Sequence, residues 1–377
     1  MLDQLDQKVE FLYLDESDMI EAGVLDMKRC VSVMDEMFEL LGKGDYLLGG
    51  PKGNEHGQKL WFPKESPFPN MPLAGPERRF MAMLAYVGGR FNICGEKWYG
   101  SNVANPPRGL PRSILMVMLN DPDTCVPLTL MSANLLSASR TGAVPGVAAK
   151  HLARKGAKKA AFIGAGPINK AIAMAIKAAV PAIEEIAVYD LLPEKSEAFL
   201  AELGPMLGLR TKAAKSTEEA VSDADIISSA AAGPVSPKIE TPWLKPGSLL
   251  AMTNKARLDS DFLQSATIIA DNWKLHQAYI EDAKELGGDI RERFNSFLTG
   301  DVLREIYDGG IKESDIRNLG DIMIGKEPGR RSDDERIVFI ASGMPCEDVA
   351  WGYDLYLTAK EKGLGQTLKI WDKPHWM

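Results

Sequence analysis

The chain has little of what builds a disulfide framework or a metal centre. Its 377 residues include 4 cysteines and 4 histidines, and the cysteines are scattered along the chain at Cys30, Cys94, Cys125 and Cys346. Disulfide-rich folds and structural zinc sites need dense or closely spaced cysteines, such as Cys-x-x-Cys pairs. The sequence therefore predicts no metal site and no disulfide framework, and isolated thiols favour a cytoplasmic location.

Long apolar runs and an excess of basic residues are also lacking. The longest uncharged stretch, residues 124–139, contains Pro127, Asn134 and serines, which are typical of a protein core rather than of a membrane span. The first six residues are acidic and do not resemble a secretory signal peptide. The formal net charge of −8 argues against general binding to nucleic acid or to an anionic membrane.

The first part of the chain has an irregular pattern. Apolar residues recur at helical spacing over residues 26–43, and short apolar runs at 81–87 and 114–119 are typical of buried strands. Between these runs, residues 96–112 are rich in Gly, Pro and Asn, which predicts a long loop of the kind that often carries function. Residues 128–154 are predicted to be helical.

After residue 155 the pattern becomes a regular alternation of strands and helices. Apolar runs typical of strands occur at 159–163, 185–190, 224–229, 248–253 and 267–270, with helical patterns at 167–180 and 193–203. Such alternation predicts a parallel sheet with helices on both faces. A last strand and helix over residues 337–360 are expected to return to the first domain.

A glycine-rich turn follows the first strand of this alternation. The strand ends at Ile163, and the turn and the start of the next helix read Gly164, Ala165, Gly166, Pro167, Ile168 and Asn169. Glycines here allow a pyrophosphate to approach the backbone, and the helix N-terminus favours its negative charge. The alternative is an ordinary strand-to-helix turn. Asn169 stands where a third Gly or Ala is usual, so we expect the helix to lie slightly farther from the strand.

The strand that follows this helix ends in an acidic residue, Asp190. A carboxylate there accepts hydrogen bonds from the adenosine ribose and repels the 2′-phosphate of NADP, so the sequence predicts NAD as cofactor. Further cofactor contacts are predicted at the ends of two later strands, at Ser229, Ala230, Ala231, Met252, Thr253 and Asn254.

Candidate substrate contacts lie outside the glycine-rich turn. Lys97 lies beside two aromatic residues and could hold a substrate carboxylate or exchange a proton; the alternative is a solvated surface lysine. Arg140 comes after sixteen uncharged residues and needs an anion, either a ligand or a protein carboxylate. Arg140 and Thr141 are also predicted to contact the cofactor. His56 could act as an acid or base, whereas the other histidines have no supporting context: His151, His276 and His375.

These motifs, in this order, resemble the ornithine cyclodeaminase/μ-crystallin family over roughly residues 25–360. The resemblance rests on Lys97-Trp98, Asn105-Pro106, Gly109-Leu110-Pro111, Leu135 to Ala143, Ala148 to Arg154, Ile163 to Gly166, Val188 to Asp190, Ala224 to Ile227, and Phe339 to Ala350 with Glu347-Asp348.

The resemblance implies an α/β protein with a Rossmann NAD-binding domain, predicted at residues 138–334. The second domain, with α+β structure, would comprise residues 1–137 and 335–377, bind the substrate and form a homodimer through its sheet. Family members oxidise or reduce the C–N bond of amino acids and imines. In them, the lysine matching Lys97 contacts the substrate carboxylate and reactive centre, and the arginine matching Arg140 faces substrate and cofactor.

Two departures from the family pattern bear on activity. Lys52 stands where an arginine usually follows the early loop proline, so the planar fork for a carboxylate is lost. Asn254 is the nearest match to the catalytic aspartate of the cyclodeaminases, and an amide cannot take a proton from an ammonium group. Asp259 or Asp261 could serve instead.

The sequence therefore favours an NAD(H)-dependent oxidoreductase that reduces an imine, or dehydrogenates an amino acid, with Lys97 as proton donor and Asn254 beside the nicotinamide. The substrate would be a small amino acid, amine or imine. Cyclodeamination of an ornithine-like diamino acid is the first alternative. A non-catalytic NAD(H)- or ligand-binding protein, or an accessory subunit of an amine-metabolising system, is the second.

Overall fold

The computed structural model of the chain describes residues 7–232, 235–285, 287–295 and 297–376. The acidic N-terminal hexapeptide lies outside these residues. The chain divides into two compact units. The first comprises the described residues of Met1–Asp26, Asp45–Ser137 and Met344–Met377, and the second those of Met27–Gly44 and Ala138–Gly343.

The strands, in chain order, are β1 Val9–Leu14, β2 Tyr46–Leu48, β3 Gln58–Trp61, β4 Arg79–Val87, β5 Ile93–Ser101, β6 Ser113–Asn120, β7 Pro127–Ser132, β8 Lys159–Ile163, β9 Glu185–Tyr189, β10 Arg210–Ala213, β11 Ile226–Ser229, β12 Lys238–Ile239, β13 Leu249–Met252, β14 Arg257–Leu258, β15 Thr267–Ala270, β16 Arg317–Asn318, β17 Ile337–Ile340 and β18 Gln366–Trp371.

The α-helices are α1 Glu16–Glu21, α2 Met27–Lys43, α3 Asn134–Leu152, α4 Pro167–Ala179, α5 Pro193–Leu207, α6 Thr217–Val221, α7 Ser260–Ser265, α8 Trp273–Glu285, α9 Ile290–Phe294, α10 Gly300–Asp308, α11 Leu319–Met323 and α12 Pro345–Lys362. No helix in the described part of the chain is both long enough and apolar enough to cross a bilayer.

The first unit is built on a mixed sheet with the strand order β18-β1-β7-β6-β5-β4-β2, and β3 adds to β4. Helix α12 packs against β4, β5 and β6. Side chains of a strand alternate between the two faces of a sheet, so one face of these strands is buried. The buried face carries Met81, Met83, Lys97, Val117 and Leu119.

The opposite face of the same strands is open and apolar. Its exposed side chains are Phe80, Leu84, Trp98, Ile114 and Met116. Phe80 and Trp98 stack with ring centroids 5.7 Å apart. Contiguous apolar surface of this kind marks an interaction site in most proteins.

The second unit is built on a parallel sheet with the strand order β10-β9-β8-β11-β13-β17-β15-β16. The chain runs outward from β8 through β9 to β10, and then crosses to β11 on the other side of β8. Ligands of such sheets bind at this reversal, beyond the carboxyl ends of the strands. The predicted α/β class is confirmed, and the parallel sheet brings the ends of β8, β9, β11, β13, β15 and β17 to one edge.

Two secondary-structure predictions in the first unit were wrong. Residues 93–101, partly assigned to a loop, form β5, which pairs with β4 along its whole length and with β6 from residue 94 onward. Its polar residues hid the alternation that places Lys97 on the buried face. Residues 128–132, expected to be helical, belong to strand β7, and helix α3 begins only at Asn134.

The domain boundaries of the structure also differ from the predicted ones. Strand β17 pairs with β13 and β15 in the parallel sheet, so the return to the first unit occurs after Gly343 rather than at residue 335. Helix α2, predicted within the first domain, belongs to the second unit, where it packs on α4 and α11.

Candidate active site

The glycine-rich turn after β8 fits a phosphate-bearing ligand. Gly164 has φ +93°, and a Cβ there would lie 2.9 Å from the Ala231 Cα, so only glycine suits the position. Gly166 is the N-cap of α4, and a Cβ at Gly166 would meet no atom within 4 Å. Pro167 occupies the first turn, where its missing N–H costs nothing. The helix N-terminus therefore faces open space, as a pyrophosphate requires.

Asp190 follows β9, and its carboxylate is hydrogen-bonded to the backbone of the same glycine-rich turn. One carboxylate oxygen accepts a hydrogen bond from Ala165 N at 2.8 Å, and the other accepts from Leu192 N at 3.1 Å. The carboxylate thus lies beside the glycine-rich turn, where the ribose of a dinucleotide would be bound.

Asn169 ties together the ends of two neighbouring strands. It is fully buried, and its Nδ2 donates to the carbonyl oxygens of Ile163 at 2.9 Å and Gly164 at 2.6 Å. Its Oδ1 accepts from Ser228 Oγ at 2.6 Å. The amide therefore does what the usual small residue cannot, since it fastens α4 to the turn and to β11 by hydrogen bonds.

Asn254 makes a similar connection at the end of β13. Its Nδ2 donates to the Ala231 carbonyl at 2.8 Å, its Oδ1 accepts from Lys255 N at 2.8 Å, and its own backbone N–H donates to the Ser229 carbonyl at 3.2 Å. Thr253 N also donates to Ser229 at 3.1 Å. The predicted contact residues Ser229 to Ala231 and Met252 to Asn254 are thus brought together at one edge of the sheet.

Arg140, on α3, is buried with 5% of its surface exposed. Its guanidinium lies against the turn after β17, since a Cβ at Gly343 would be 2.6 Å from Arg140 Nη1. Gly343 has φ +76°, and its N–H donates to the buried Asp271 carboxylate at 2.9 Å. A side chain at position 343 would displace the guanidinium, so this glycine is what allows Arg140 to lie there.

Lys97 lies in the first unit, on the buried face of β5. Its Nζ is 2.8 Å from Asp348 Oδ2, and the two side chains are 3% and 0% exposed. The alternative of a solvated surface lysine is therefore wrong. Asp348 lies in the first turn of α12, where the helix dipole favours a carboxylate. A desolvated ammonium held by a carboxylate on a sheet face is an arrangement suited to binding and protonating a small polar ligand.

The loop that carries Lys52 and His56 reaches the same sheet face. A Cβ at Gly57 would lie 2.7 Å from Met81 Cε and from Met83 Cγ, and Met83 is the strand partner of Lys97. Lys52 itself is exposed, so its role as a substrate contact remains a prediction.

Sequence reasoning missed several residues of these clusters. Asp348 was part of the recognised motif but had no assigned role, because its partner is 251 positions away. Asp271 was not singled out and His276 was judged to lack supporting context, but the two side chains lie 3.3 Å apart at the end of β15 and on α8. His276 Nε2 also lies 3.4 Å from Ser342 Oγ. Within the described residues, no group of three or more His, Cys, Asp or Glu side chains is placed to hold a metal ion.

Comparison with known proteins gives matches over nearly the whole chain. The sequence model of the ornithine cyclodeaminase/mu-crystallin family matches residues 24–363. N-((2S)-2-amino-2-carboxyethyl)-L-glutamate dehydrogenase of Staphylococcus aureus is 28% identical over 372 residues, which are 96% of this chain and 99% of that protein.

Two solved structures are similar in fold. Thermococcus litoralis Δ1-pyrroline-2-carboxylate reductase, in complex with NADH and L-proline, has a TM-score of 0.77 and 25% identity, with 95% of this chain and 100% of that chain covered. An archaeal alanine dehydrogenase dimer with bound NAD has a TM-score of 0.76 and 26% identity, with 96% and 100% covered.

The buried pair of Lys97 and Asp348 predicts a clear result in a double-mutant cycle. Lys97→Met or Asp348→Leu alone leaves one uncompensated buried charge and should lower the free energy of unfolding by about 3–5 kcal/mol. The double variant Lys97→Met/Asp348→Leu should regain much of that loss. Urea denaturation of the single and double variants provides the measurement.

The matched control is the ion pair of Arg90 and Asp354, which joins the same helix at 3.2 Å but is partly exposed. Arg90→Met should cost no more than about 1 kcal/mol. Equal losses for Lys97→Met and Arg90→Met would show that the Lys97–Asp348 pair is open to water.

Proposed function

The chain belongs to the ornithine cyclodeaminase/mu-crystallin family, and we propose that it is an NAD(H)-dependent oxidoreductase that reduces an imine next to a carboxylate, or dehydrogenates the corresponding amino acid. The observation that carries this proposal is the buried ammonium of Lys97, held by Asp348 on the face of the first sheet. The relatives' activities agree with it, since they include a pyrroline-2-carboxylate reductase and an amino-acid dehydrogenase.

The residues at the edge of the parallel sheet fit the cofactor NAD. The glycine-rich turn and the N-terminus of α4 would take the pyrophosphate, and Asp190 the adenosine ribose. The two solved structures described above, which are similar in fold, contain NADH or NAD. When bound, NADH supplies the hydride that the imine carbon accepts.

The first unit supplies the polar chemistry of the reaction. Lys97 Nζ carries protons next to Asp348, and we assign it two tasks: to hold the substrate carboxylate and to donate a proton to the imine nitrogen as the carbon is reduced. Burial makes both interactions stronger than they would be in water. The Asp348 carboxylate, 2.8 Å away, keeps the ammonium in position.

Asn254 favours imine reduction over cyclodeamination. Both atoms of its amide group are engaged by backbone partners, so it has no group to accept a proton from a substrate ammonium. Asp259, one alternative base, accepts from Thr241 N at 3.2 Å and lies 3.8 Å from Lys238. A preformed imine needs no such base, so its reduction remains possible with an amide at position 254.

Cofactor choice is tested by Asp190→Asn. The amide oxygen still accepts from Ala165 N, so the glycine-rich turn keeps this support, whereas the negative charge and the hydrogen bond from Leu192 N are lost. We expect the unmodified protein to bind NADH more tightly than NADPH, and the variant to narrow that difference by about tenfold, as removal of one close charge repulsion implies. Titration of cofactor fluorescence measures both affinities. Equal binding of NADH and NADPH by the unmodified protein would refute the assignment of Asp190.

Activity is tested by following NADH absorbance with Δ1-pyrroline-2-carboxylate, and separately ammonia release from L-ornithine with NAD⁺. We expect imine reduction to be much faster than deamination. Lys97→Met should lower turnover by about 10²–10⁴-fold, as loss of general-acid help does, while NADH affinity stays unchanged. Fast release of ammonia from ornithine would identify a cyclodeaminase instead. Tight NADH binding without turnover of any imine, amine or amino acid would identify a binding protein.

We also propose that the chain forms a homodimer through the open apolar face of the first sheet, in line with the dimer of the archaeal alanine dehydrogenase. Leu84→Glu and Met116→Glu each place a charge in this face and should shift the protein to monomers at micromolar concentration. Leu191→Glu, at an exposed apolar position of the second unit, is the control and should stay dimeric. Light scattering that finds the unmodified protein monomeric would contradict this assembly.

A further inference from the structure

Arg79 lies on the same face of the first sheet as Lys97, at the far side of Tyr99. Met81 pairs with Tyr99 and Met83 with Lys97, and Arg79, Met81 and Met83 alternate along β4 toward one face. The Lys97 ammonium lies 5.8 Å from the centroid of the Tyr99 ring, and the Arg79 guanidinium carbon lies 5.9 Å from it. The two cations are therefore less than about 12 Å apart.

The guanidinium of Arg79 is held in place by its neighbours, but not all of its N–H groups have hydrogen-bond partners within the part of the chain that the structure describes. Its side chain is 15% exposed and lies close to two aromatic rings, since its guanidinium carbon is also 5.4 Å from the Trp61 ring centroid. Glu77 accepts a hydrogen bond from Nη1. Nε is buried and has no hydrogen-bond partner among the described residues. Glu77 has φ +55°, a left-handed conformation that is uncommon for a residue other than glycine.

An unpaired buried donor is costly, so an arginine in this state points to a ligand group that completes it. The edge formed by Nε and Nη2 is the geometry that binds a carboxylate through two parallel hydrogen bonds. Contact with the Trp61 and Tyr99 rings stabilises the guanidinium at this position. The site thus has the chemistry of an anion receptor, separate from the ammonium of Lys97.

We propose that Arg79 is a specificity-determining residue that binds a second carboxylate, on the side chain of the substrate, and that the enzyme therefore prefers dicarboxylic imines. This inference rests on the proposed function. A five-carbon dicarboxylate spans about 5 Å between its carboxyl carbons. With a hydrogen bond of about 2.8 Å at each end, it reaches across the separation of Lys97 and Arg79. A side chain ending in a methyl group would leave Nε unpaired.

The experiment compares two keto acids that differ only in the distal group, each supplied with ammonium and NADH: 2-oxoglutarate and 2-oxopentanoate. We expect kcat/KM of the unmodified enzyme to be about 10- to 100-fold higher for 2-oxoglutarate, as a charge-assisted hydrogen-bond pair implies. Arg79→Leu should remove this preference, mainly by raising KM for 2-oxoglutarate, and should leave 2-oxopentanoate reduction within a few fold. Arg79→Lys, which keeps the charge but not the planar fork, should restore part of the preference.

Arg78→Leu is the matched control. It removes the neighbouring arginine, whose guanidinium lies over Phe62 at 5.1 Å and donates to the Leu73 carbonyl, and it should keep the preference for 2-oxoglutarate. An unchanged preference in Arg79→Leu, or a preference of the unmodified enzyme for 2-oxopentanoate, would overturn the assignment of Arg79. Loss of the preference in Arg78→Leu as well would assign it to net charge rather than to this guanidinium.

Calorimetric titration with glutarate and butyrate separates this inference from the proposed function. Neither ligand is turned over, so binding is measured even if no imine is reduced. We expect glutarate to bind at least tenfold more tightly than butyrate, and Arg79→Leu to equalise them. Turnover of 2-oxopentanoate without selective glutarate binding would support the oxidoreductase function and contradict the role of Arg79 as a carboxylate-binding residue. Selective glutarate binding without any turnover would support the role of Arg79 and contradict the oxidoreductase function.

Discussion

The buried ion pair of Lys97 and Asp348 is the constraint on which the architecture of the first unit depends. Two opposite charges withdrawn from water lose several kcal/mol of hydration each, and recover it only if they stay close and well oriented. The 2.8 Å contact joins the middle of β5 to the first turn of α12. The helix must therefore lie on this face of the sheet, with its N-terminal turn directly over the lysine. The apolar neighbours Met83 and Val117 then exclude water from the pair.

One face of the first sheet packs against α12 and carries the buried ion pair, and the other face has no helix of the described residues packed on it. In many α/β proteins a second layer covers such a face, but here Phe80, Leu84, Trp98, Ile114 and Met116 remain exposed. Burial of apolar surface is favourable by roughly 25 cal/mol per Å². The homodimer that we propose would cover this face with a second copy of the chain and complete a layer that the chain itself does not supply.

The parallel sheet was well predicted because the sequence patterns that indicate its strands and helices lie within short stretches of the chain. Strands of four or five apolar residues, each followed by a turn and an amphipathic helix, can be read from short windows, and the glycine-rich turn and Asp190 follow them directly. Strand β5 was missed because its buried face carries Gly95, Lys97 and Ser101 where a core strand usually has apolar residues. The side chain that makes the lysine a core residue, Asp348, is 251 positions away. No local window contains that information, and the insertion of β17 between β13 and β15 is likewise a long-range pairing.

Two asparagines next to strands of the parallel sheet use their side-chain amides to hold loops in place, and this structural role limits the chemistry that each side chain can perform. Asn169 and Asn254 each use the NH₂ group to donate to a backbone carbonyl, and each thereby fastens a strand end to its neighbour. An aspartate at 254 would face the Ala231 carbonyl with an acceptor and repel it, because a carboxylate has no N–H to donate. The loop would then have to move for the carboxylate to serve as a base. At the position that we propose beside the nicotinamide, the amide that holds the loop therefore offers no proton acceptor for cyclodeamination, and an aspartate there would supply a base only if the loop moved.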